Sequence, residues 1–318
     1  MINWGIIGFG NMGKQYANCF RKKSSTFNLI GIASKSKKDS IKDFEFFDNY
    51  NDLIRSELID AIYISTLNNS HKDLVCQVEK HNKKILCEKP LGMNLKEVKE
   101  MYDLLKEKKD SFLEAIAYRS HPQTEALLNL LKHQEFGEIK KIESSFGFKV
   151  KKIKKDSRLF SEKLGGGAIL DVGCYPLSFF NLFTNNKKME VMNSKFNLCE
   201  TNVDIDGEIT LKINDKIEAK GKVSLKENLD NLCKIYCDKA EITLQEPWLP
   251  SNKSFIEVET KSRYYKKIIS SNKSAYDHQL EASSNFFSKD KKKSKILVNI
   301  EESLELSKII GIWKNDQN

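Results

Sequence analysis

Short apolar runs alternate with helically periodic stretches over the first 120 residues of this chain. Residues 2–7, 29–34, 44–47, 60–66, 84–87 and 112–117 read as strands, each a brief apolar run bounded by polar or glycine-rich breaks. Residues 11–23, 71–81 and 94–108 read as helices. In the last of these, Leu95, Val98, Met101, Tyr102 and Leu105 recur three or four apart and define one buried stripe. Such alternation predicts an α/β domain with a doubly wound parallel sheet and helices on both faces. Ligands of such sheets bind beyond the carboxyl ends of the strands.

From residue 121 the pattern changes. After a helix over 122–133, strand-like segments follow at 139–150, 191–198, 205–213, 217–225, 232–237, 242–244 and 255–258. Asn, Asp and Gly lie between them, which predicts an α+β domain built on a large, mostly antiparallel open sheet. Helices over 276–287 and 301–314 close the chain. We therefore expect two domains, 1–120 and 121–318, closely joined because no flexible linker separates them. A sheet with helices on one face leaves the other to be covered, which predicts a homodimer or tetramer.

Composition narrows the classes. A length of 318 residues suits two domains, and no run approaches the ~18 apolar residues of a membrane helix. No basic stretch followed by an apolar run opens the sequence, so no signal peptide is expected. Seven cysteines, odd in number and without framework spacing, predict reduced thiols in a cytoplasmic protein. The net charge of +9 comes almost wholly from lysine, the arginines being Arg21, Arg55, Arg119, Arg158 and Arg263. The lysine-rich runs 151–155 and 289–293 lack interleaved arginines and aromatics, so they read as solvated surface and not as a nucleic-acid groove. No His, Cys or Asp grouping has metal-ligand spacing.

Gly8-Phe9-Gly10-Asn11-Met12-Gly13 follows a strand and opens a helix, the context a dinucleotide fingerprint requires. Gly8 permits the tight turn, Gly10 lets backbone approach a pyrophosphate, and Gly13 lets helix and strand pack closely. Asn11 and Met12 begin the helix, whose free N–H groups attract an anion. At the end of the second strand stands Ala33-Ser34-Lys35-Ser36-Lys37-Lys38, with no acid before Asp39. An NAD-specific site places an acid there for the ribose hydroxyls. Ser34 and Lys35 suit a 2′-phosphate instead, so NADP is expected in preference to NAD.

Further motifs are Thr66-Leu67-Asn68-Asn69-Ser70-His71, Cys87-Glu88-Lys89-Pro90-Leu91, the run from Glu114 to Pro122, and the run from Gly165 to Pro176. With the glycine loop, these resemble the Gfo/Idh/MocA oxidoreductases. The similar branch contains glucose-fructose oxidoreductase, dimeric dihydrodiol dehydrogenase and NADP-dependent xylose dehydrogenase. The resemblance implies that Thr66, Asn68 and His71 line the cofactor site, with Leu67 in place of the usual proline. It implies that Glu88 approaches the nicotinamide ribose, that Lys89 faces the substrate and that Arg119 contacts the cofactor. In many relatives the proline of Glu-Lys-Pro follows a cis peptide. Asp171 and Tyr175 are expected to complete the substrate pocket.

Elementary chemistry supports this arrangement. A helix beginning near Ala168 places Asp171 and Tyr175, four apart, on one face, and Pro176 is expected to kink it. Oxidising a carbinol requires a base beside the hydroxyl, and a free phenol with pKa near 10 serves poorly. An ammonium about 4 Å away at an effective dielectric of ~20 favours phenolate by about 4 kcal/mol. That lowers the phenol by about three pKa units. Lys89 and Tyr175 thus form a candidate acid–base pair for hydride transfer between NADP or NAD and a sugar-like polyhydroxy substrate. Two alternatives keep the glycine loop: a non-catalytic sugar sensor, and a redox-assisted glycosidase with tightly bound NAD.

Overall fold

A computed structural model describes residues 1–22, 24–35, 43–132, 134–184, 189–288 and 296–315. Lys23, His133, residues 36–39 of the expected 2′-phosphate segment and the lysine run 289–293 lie outside the described residues.

Two compact units emerge. The first comprises residues 1–119 and 276–304, and the second residues 120–275 and 305–318. The segment 276–304 groups with the first unit, whereas the expected cut after residue 120 places it in the second.

The first unit holds β1 (Ile2–Ile7), α1 (Asn11–Phe20), β2 (Phe27–Ala33), β3 (Glu45–Phe47), α2 (Tyr50–Arg55), β4 (Ala61–Ile64), α3 (His71–Lys80), β5 (Lys84–Glu88), α4 (Leu95–Leu105) and β6 (Phe112–Ala115). Its six parallel strands run in the order β3-β2-β1-β4-β5-β6, so the order reverses beside β1. Strands buried on both faces need apolar side chains on both, and β1 shows it. Trp4 and Ile6 join Tyr16 and Phe20 in one core, whereas Ile7 joins Leu53, Ile62 and Val75 in another. The expected third strand begins one residue later, at Glu45, and the first helix ends at Phe20. Helix α2 was not expected: it has only six residues, too few for a periodic stripe, and Asn49 caps it by accepting from Asp52 N–H at 2.9 Å.

The second unit carries α5 (Pro122–Leu131), β7 (Ile139–Gly147), a π-helical turn at Ile169–Gly173, α6 (Cys174–Asn181), β8 (Met189–Leu198), β9 (Asp204–Ile213), β10 (Ile217–Ser224), β11 (Leu232–Cys237), β12 (Ala240–Gln245), β13 (Lys253–Thr260) and β14 (Tyr264–Ser270). Two helices complete the chain: α7 (Ala275–Phe287) and α8 (Ile300–Asn315). The eight strands run β14-β13-β12-β11-β7-β10-β9-β8, antiparallel except for the β7–β10 pair. Strand β14 was not expected because its side chains are nearly all exposed, without alternation. Along β10, Ala219, Gly221 and Val223 are buried, and a Cβ at Gly221 would stand 3.4 Å from Phe180 of α6. The alternate residues Glu218, Lys220 and Lys222 are exposed, and ion pairs such as Lys234–Glu241 at 2.7 Å lie on the outer face.

Candidate functional site

The first unit's glycine loop lies at the reversal of strand order, where open α/β sheets take their ligands. Gly8 has φ +94°, and a Cβ there would stand 2.8 Å from Ser65 O. At Gly13 a Cβ would meet Gly8 O at 2.2 Å, so only glycine lets α1 start this close to the loop. At Gly10 a Cβ would meet nothing within 4 Å. That residue and Asn11 are exposed, Met12 is half-buried, and no side chain caps the helix start. Uncapped N–H groups facing open space form a cradle that fits a pyrophosphate. Ser65 Oγ donates to Gly8 O at 2.9 Å and ties the loop to the end of β4.

At the end of β2, Ser34 is buried and Lys35 exposed, with the Lys35 ammonium 5.7 Å from the Tyr50 ring centre. Partial burial raises the Tyr50 phenol, against a hydrogen bond from the Lys35 backbone. The Lys35 cation is thus steered by an aromatic ring. In the following segment, Thr66 and Asn68 are half-buried, and Ser70 Oγ donates to Thr66 Oγ1 at 2.7 Å.

Strand β5 ends in Glu88, followed by Lys89 and Pro90. The Lys89–Pro90 peptide is cis. Lys89 is half-buried and Glu88 is 7 % exposed, accepting from the Tyr63 hydroxyl. Tyr63 stacks on Tyr16 with ring centres 3.8 Å apart, and Tyr16 in turn donates to Gln279. Burial first, then the Glu88 charge, pushes the Tyr63 phenol well up. Tyr276 responds similarly to burial and Glu88, with Lys89 pulling it down, so a third phenol lies within electrostatic reach of this turn.

Two more of the expected cofactor contacts are buried. His71 opens α3 but is fully buried: Nδ1 lies 3.0 Å from Pro90 O and Nε2 3.3 Å from Thr66 O. It therefore acts on backbone and does not line an open site. Burial pulls it below the ordinary histidine value, opposed by the hydrogen bonds to Pro90 and Thr66. Arg119 is 1 % exposed, donating to Glu302 Oε1 at 2.7 Å and to Ile296 O at 3.0 Å. Burial opposes its charge, but the Glu302 carboxylate offsets that and raises it. An arginine so enclosed braces the fold through Glu302 and the Ile296 carbonyl.

In the second unit Asp171 is 4 % exposed and accepts from Arg158 at 2.7 Å, with Arg158 itself half exposed. Tyr175 is half-buried, edge-on to Phe146 with ring centres 5.0 Å apart and to Trp248 at 5.8 Å. Asp171 lies in the π-helical turn and Tyr175 in α6, which corrects the expected uniform helix from Ala168. Wider π geometry changes the facing of residues four apart. Pro176 has no N–H to continue an α-ladder, and the irregularity falls in the turn before it. Asp204 Oδ2 accepts from Ile169 N–H at 2.6 Å and anchors that turn.

Glu114, which opens the 114–122 motif, has a role set by its depth. It is 5 % exposed on β6, accepting from Leu91 N–H at 3.1 Å and Ser303 Oγ at 2.6 Å. Burial pushes it up from 4.5 to about 7, opposed by those two hydrogen bonds and aided by Glu302 and Glu88. A lone acid inside the apolar run Phe112-Leu113-Glu114-Ala115 was the available signal. Tyr63, Arg158 and Asp204 gave no comparable one. No cluster of three or more potential metal ligands occurs among the described residues, and no described helix is long and apolar enough to cross a membrane.

Comparison with known proteins places these features. Residues 2–115 match the model of an oxidoreductase family with an NAD-binding Rossmann fold, and residues 124–243 match a Gfo/Idh/MocA C-terminal domain. A trans-1,2-dihydrobenzene-1,2-diol dehydrogenase of Xenopus tropicalis is 27 % identical over 257 residues, covering 78 % of this chain and 77 % of the relative. The human protein of that name is 25 % identical over 259 residues, covering 79 % and 76 %. Among solved structures, a 3-ketoreductase from Actinomadura kijaniata in complex with NADP and TDP-benzene superposes with TM-score 0.86 at 18 % identity, covering 98 % of this chain and 97 % of that one. An aldose-aldose oxidoreductase from Caulobacter crescentus, complexed with glycerol, gives TM-score 0.85 at 14 % identity, covering 98 % and 96 %.

Proposed function

The chain belongs to the Gfo/Idh/MocA oxidoreductase family, and from that premise we propose that it is an NAD(P)-dependent dehydrogenase or reductase acting on a CH–OH or carbonyl group of a sugar-like, polyhydroxy substrate. The observation that carries this reading is the uncapped glycine cradle at the strand-order reversal, with Lys89 at the carboxyl end of β5 in the same unit. The dehydrogenase and reductase names of the relatives, one crystallised with NADP, support it.

Backbone N–H groups at Gly10, Asn11 and Met12 hold the pyrophosphate, and Ser34 with Lys35 favours a 2′-phosphate. Thr66, Asn68 and Glu88 border the nicotinamide half. The bound nicotinamide supplies the hydride acceptor or donor. Tyr175 takes the hydroxyl proton during oxidation and returns it during reduction, and Lys89 stabilises its phenolate form. Asp171, fixed by Arg158, accepts a hydrogen bond from a neighbouring hydroxyl. A homodimer or tetramer, with the outer sheet face covered, is part of this proposal; sedimentation velocity tests it.

Incubating the protein with NADP or NAD and a panel of aldoses, polyols and dihydrodiols, while following nicotinamide absorbance, tests the reading. Turnover with at least one panel member, abolished in Lys89→Met and in Tyr175→Phe, is expected. Saturable cofactor binding without any turnover favours the sugar sensor. Release of a leaving group without accumulated reduced cofactor favours the redox-assisted glycosidase.

A further inference from the structure

Pro90 O and Leu91 N–H are the two ends of one peptide group. His71 Nδ1 meets the oxygen at 3.0 Å and Glu114 Oε1 meets the N–H at 3.1 Å, and both side chains are at least nine-tenths buried. Each polar group of this one peptide unit is thus satisfied, from opposite sides, by a buried side chain that can change its charge, where a backbone partner of fixed charge would have sufficed. The peptide directly follows Lys89 and Pro90.

We infer that His71 and Glu114 are paired positioning residues that clamp the Pro90–Leu91 peptide and thereby fix where Lys89 presents its ammonium. The assignment of Lys89 to the reaction rests on the function proposed above; the clamp itself does not. The mechanical link is short. Proline's ring fixes its φ and the peptide planes are stiff. Pro90 ψ is therefore the one soft backbone torsion between the gripped peptide and the Lys89 carbonyl. Holding that peptide holds the torsion.

Protons enter the clamp on one side. Ser303 Oγ lies 2.6 Å from Glu114 Oε2 and 3.0 Å from Asn299 O, and a hydroxyl has one proton to give. With Glu114 ionised, Ser303 donates to it. With Glu114 protonated, the acid donates to Ser303, which then donates to Asn299 O. Both states keep Oε1 as the acceptor for Leu91 N–H, but the carboxylate grips that N–H more strongly. The groups facing Glu114 are Glu88 and Cys87 from β5 and Glu302 from α8, the last neutralised by Arg119. Lys89 is the charge facing His71. With its ionisation near neutrality, Glu114 makes the grip on Lys89 respond to ordinary changes of pH.

Lys89 can be interrogated without substrate, by competitive acetylation with trace acetic anhydride and mass-spectrometric quantification across the range either side of neutrality. In the native protein the labelling rate of Lys89, normalised to exposed lysines, is expected to show an added inflection near pH 7. Glu114→Gln keeps the acceptor for Leu91 and donates to Ser303, so it copies the protonated acid. It is expected to hold Lys89 at its low-pH labelling behaviour with no inflection. His71→Asn and Glu114→Ala are expected to lower kcat by about ten- to a hundredfold through misplacement alone, with the Kd for NADPH unchanged within about threefold. Unaltered Lys89 labelling in folded Glu114→Gln at every pH, or a loss confined to Kd, would overturn the clamp. A labelling profile that follows Glu114 while Lys89→Met turns over normally upholds the clamp and sinks the functional reading instead.

Discussion

Replacing Glu114 by glutamine should change how stability depends on pH, by an amount the structure fixes. Burial raises the Glu114 carboxyl from 4.5 to about 7 in the folded chain, whereas unfolding returns it to the ordinary value. A raised folded value means the native state holds a proton that the unfolded state has lost. The stabilising contribution is thus complete below pH 4.5 and fades as pH rises through about 7. A displacement of about 2.5 units at 1.36 kcal/mol each amounts to about 3 kcal/mol. This is a large fraction of the 5–15 kcal/mol that typically separates native from unfolded domains.

Glutamine is isosteric, carries no titrating proton and keeps the bonds to Leu91 and Ser303 in their protonated-acid form. Native protein and Glu114→Gln should then be nearly equal in stability below pH 4.5 and diverge between there and about pH 7, above which the variant is more stable by about 3 kcal/mol. Every other titrating group is shared, His71 included, so the difference isolates Glu114. Urea unfolding of both proteins, at several pH values and followed by far-UV circular dichroism, measures it. A difference that stays constant within about 0.5 kcal/mol across that range would falsify the assignment of a proton to buried Glu114.

Other outcomes follow from the same geometry. Arg119→Ala removes the buried cation that pairs with partly buried Glu302 and should destabilise the protein by about 3 kcal/mol in the same urea titration. Gly13→Ala drives a methyl to 2.2 Å from Gly8 O; isothermal titration should find NADPH affinity lost or down by more than about tenfold, with about 1–3 kcal/mol lost in stability. Lys35→Ala should weaken NADPH by about 1.5–3 kcal/mol, the scale of one charge-assisted bond, while leaving NADH almost unchanged. Lys89→Met should collapse turnover in a steady-state assay while the Kd for NADPH stays within a few-fold.

How much was legible from sequence depended on whether a residue's role is set by local backbone or by depth. Gly8 and Gly13 announce themselves because no other residue tolerates that φ or that contact, wherever the rest of the chain goes. The strand–helix alternation was equally plain, since both faces of the first sheet must be covered. His71 was placed beside the cofactor because the motif gives its neighbours but not its burial, and the fold encloses it completely. The burial of Arg119 was hidden in the same way, its partner Glu302 being 183 residues distant. The return of residues 276–304 to the first unit left no trace in periodicity, because a helix buries an apolar stripe whichever unit it joins. The π-helical turn was hidden because the residues around Asp171 favour a helix and only the irregularity before Pro176 changes its pitch.

The two units solve one problem with the same chemistry. Two of the side chains proposed to act on substrate, Lys89 and Asp171, sit in backbone where no regular α-helix or strand ladder sets the direction of a side chain. In each case a buried acid from a neighbouring strand supplies what the ladder does not. Glu114 holds Leu91 N–H two residues after Lys89, and Asp204 holds Ile169 N–H two residues before Asp171. Burial raises both acids, offset for Asp204 by Lys314 and the Ile169 bond and for Glu114 by Ser303 and Leu91. A buried carboxylate left unpaired is costly enough to enforce its own hydrogen bonds, so each backbone segment is held tightly by a group that must satisfy itself. Depth in the fold is thereby converted into precision at the surface, and substitutions at Glu114 or Asp204 should disturb the site without touching anything bound in it.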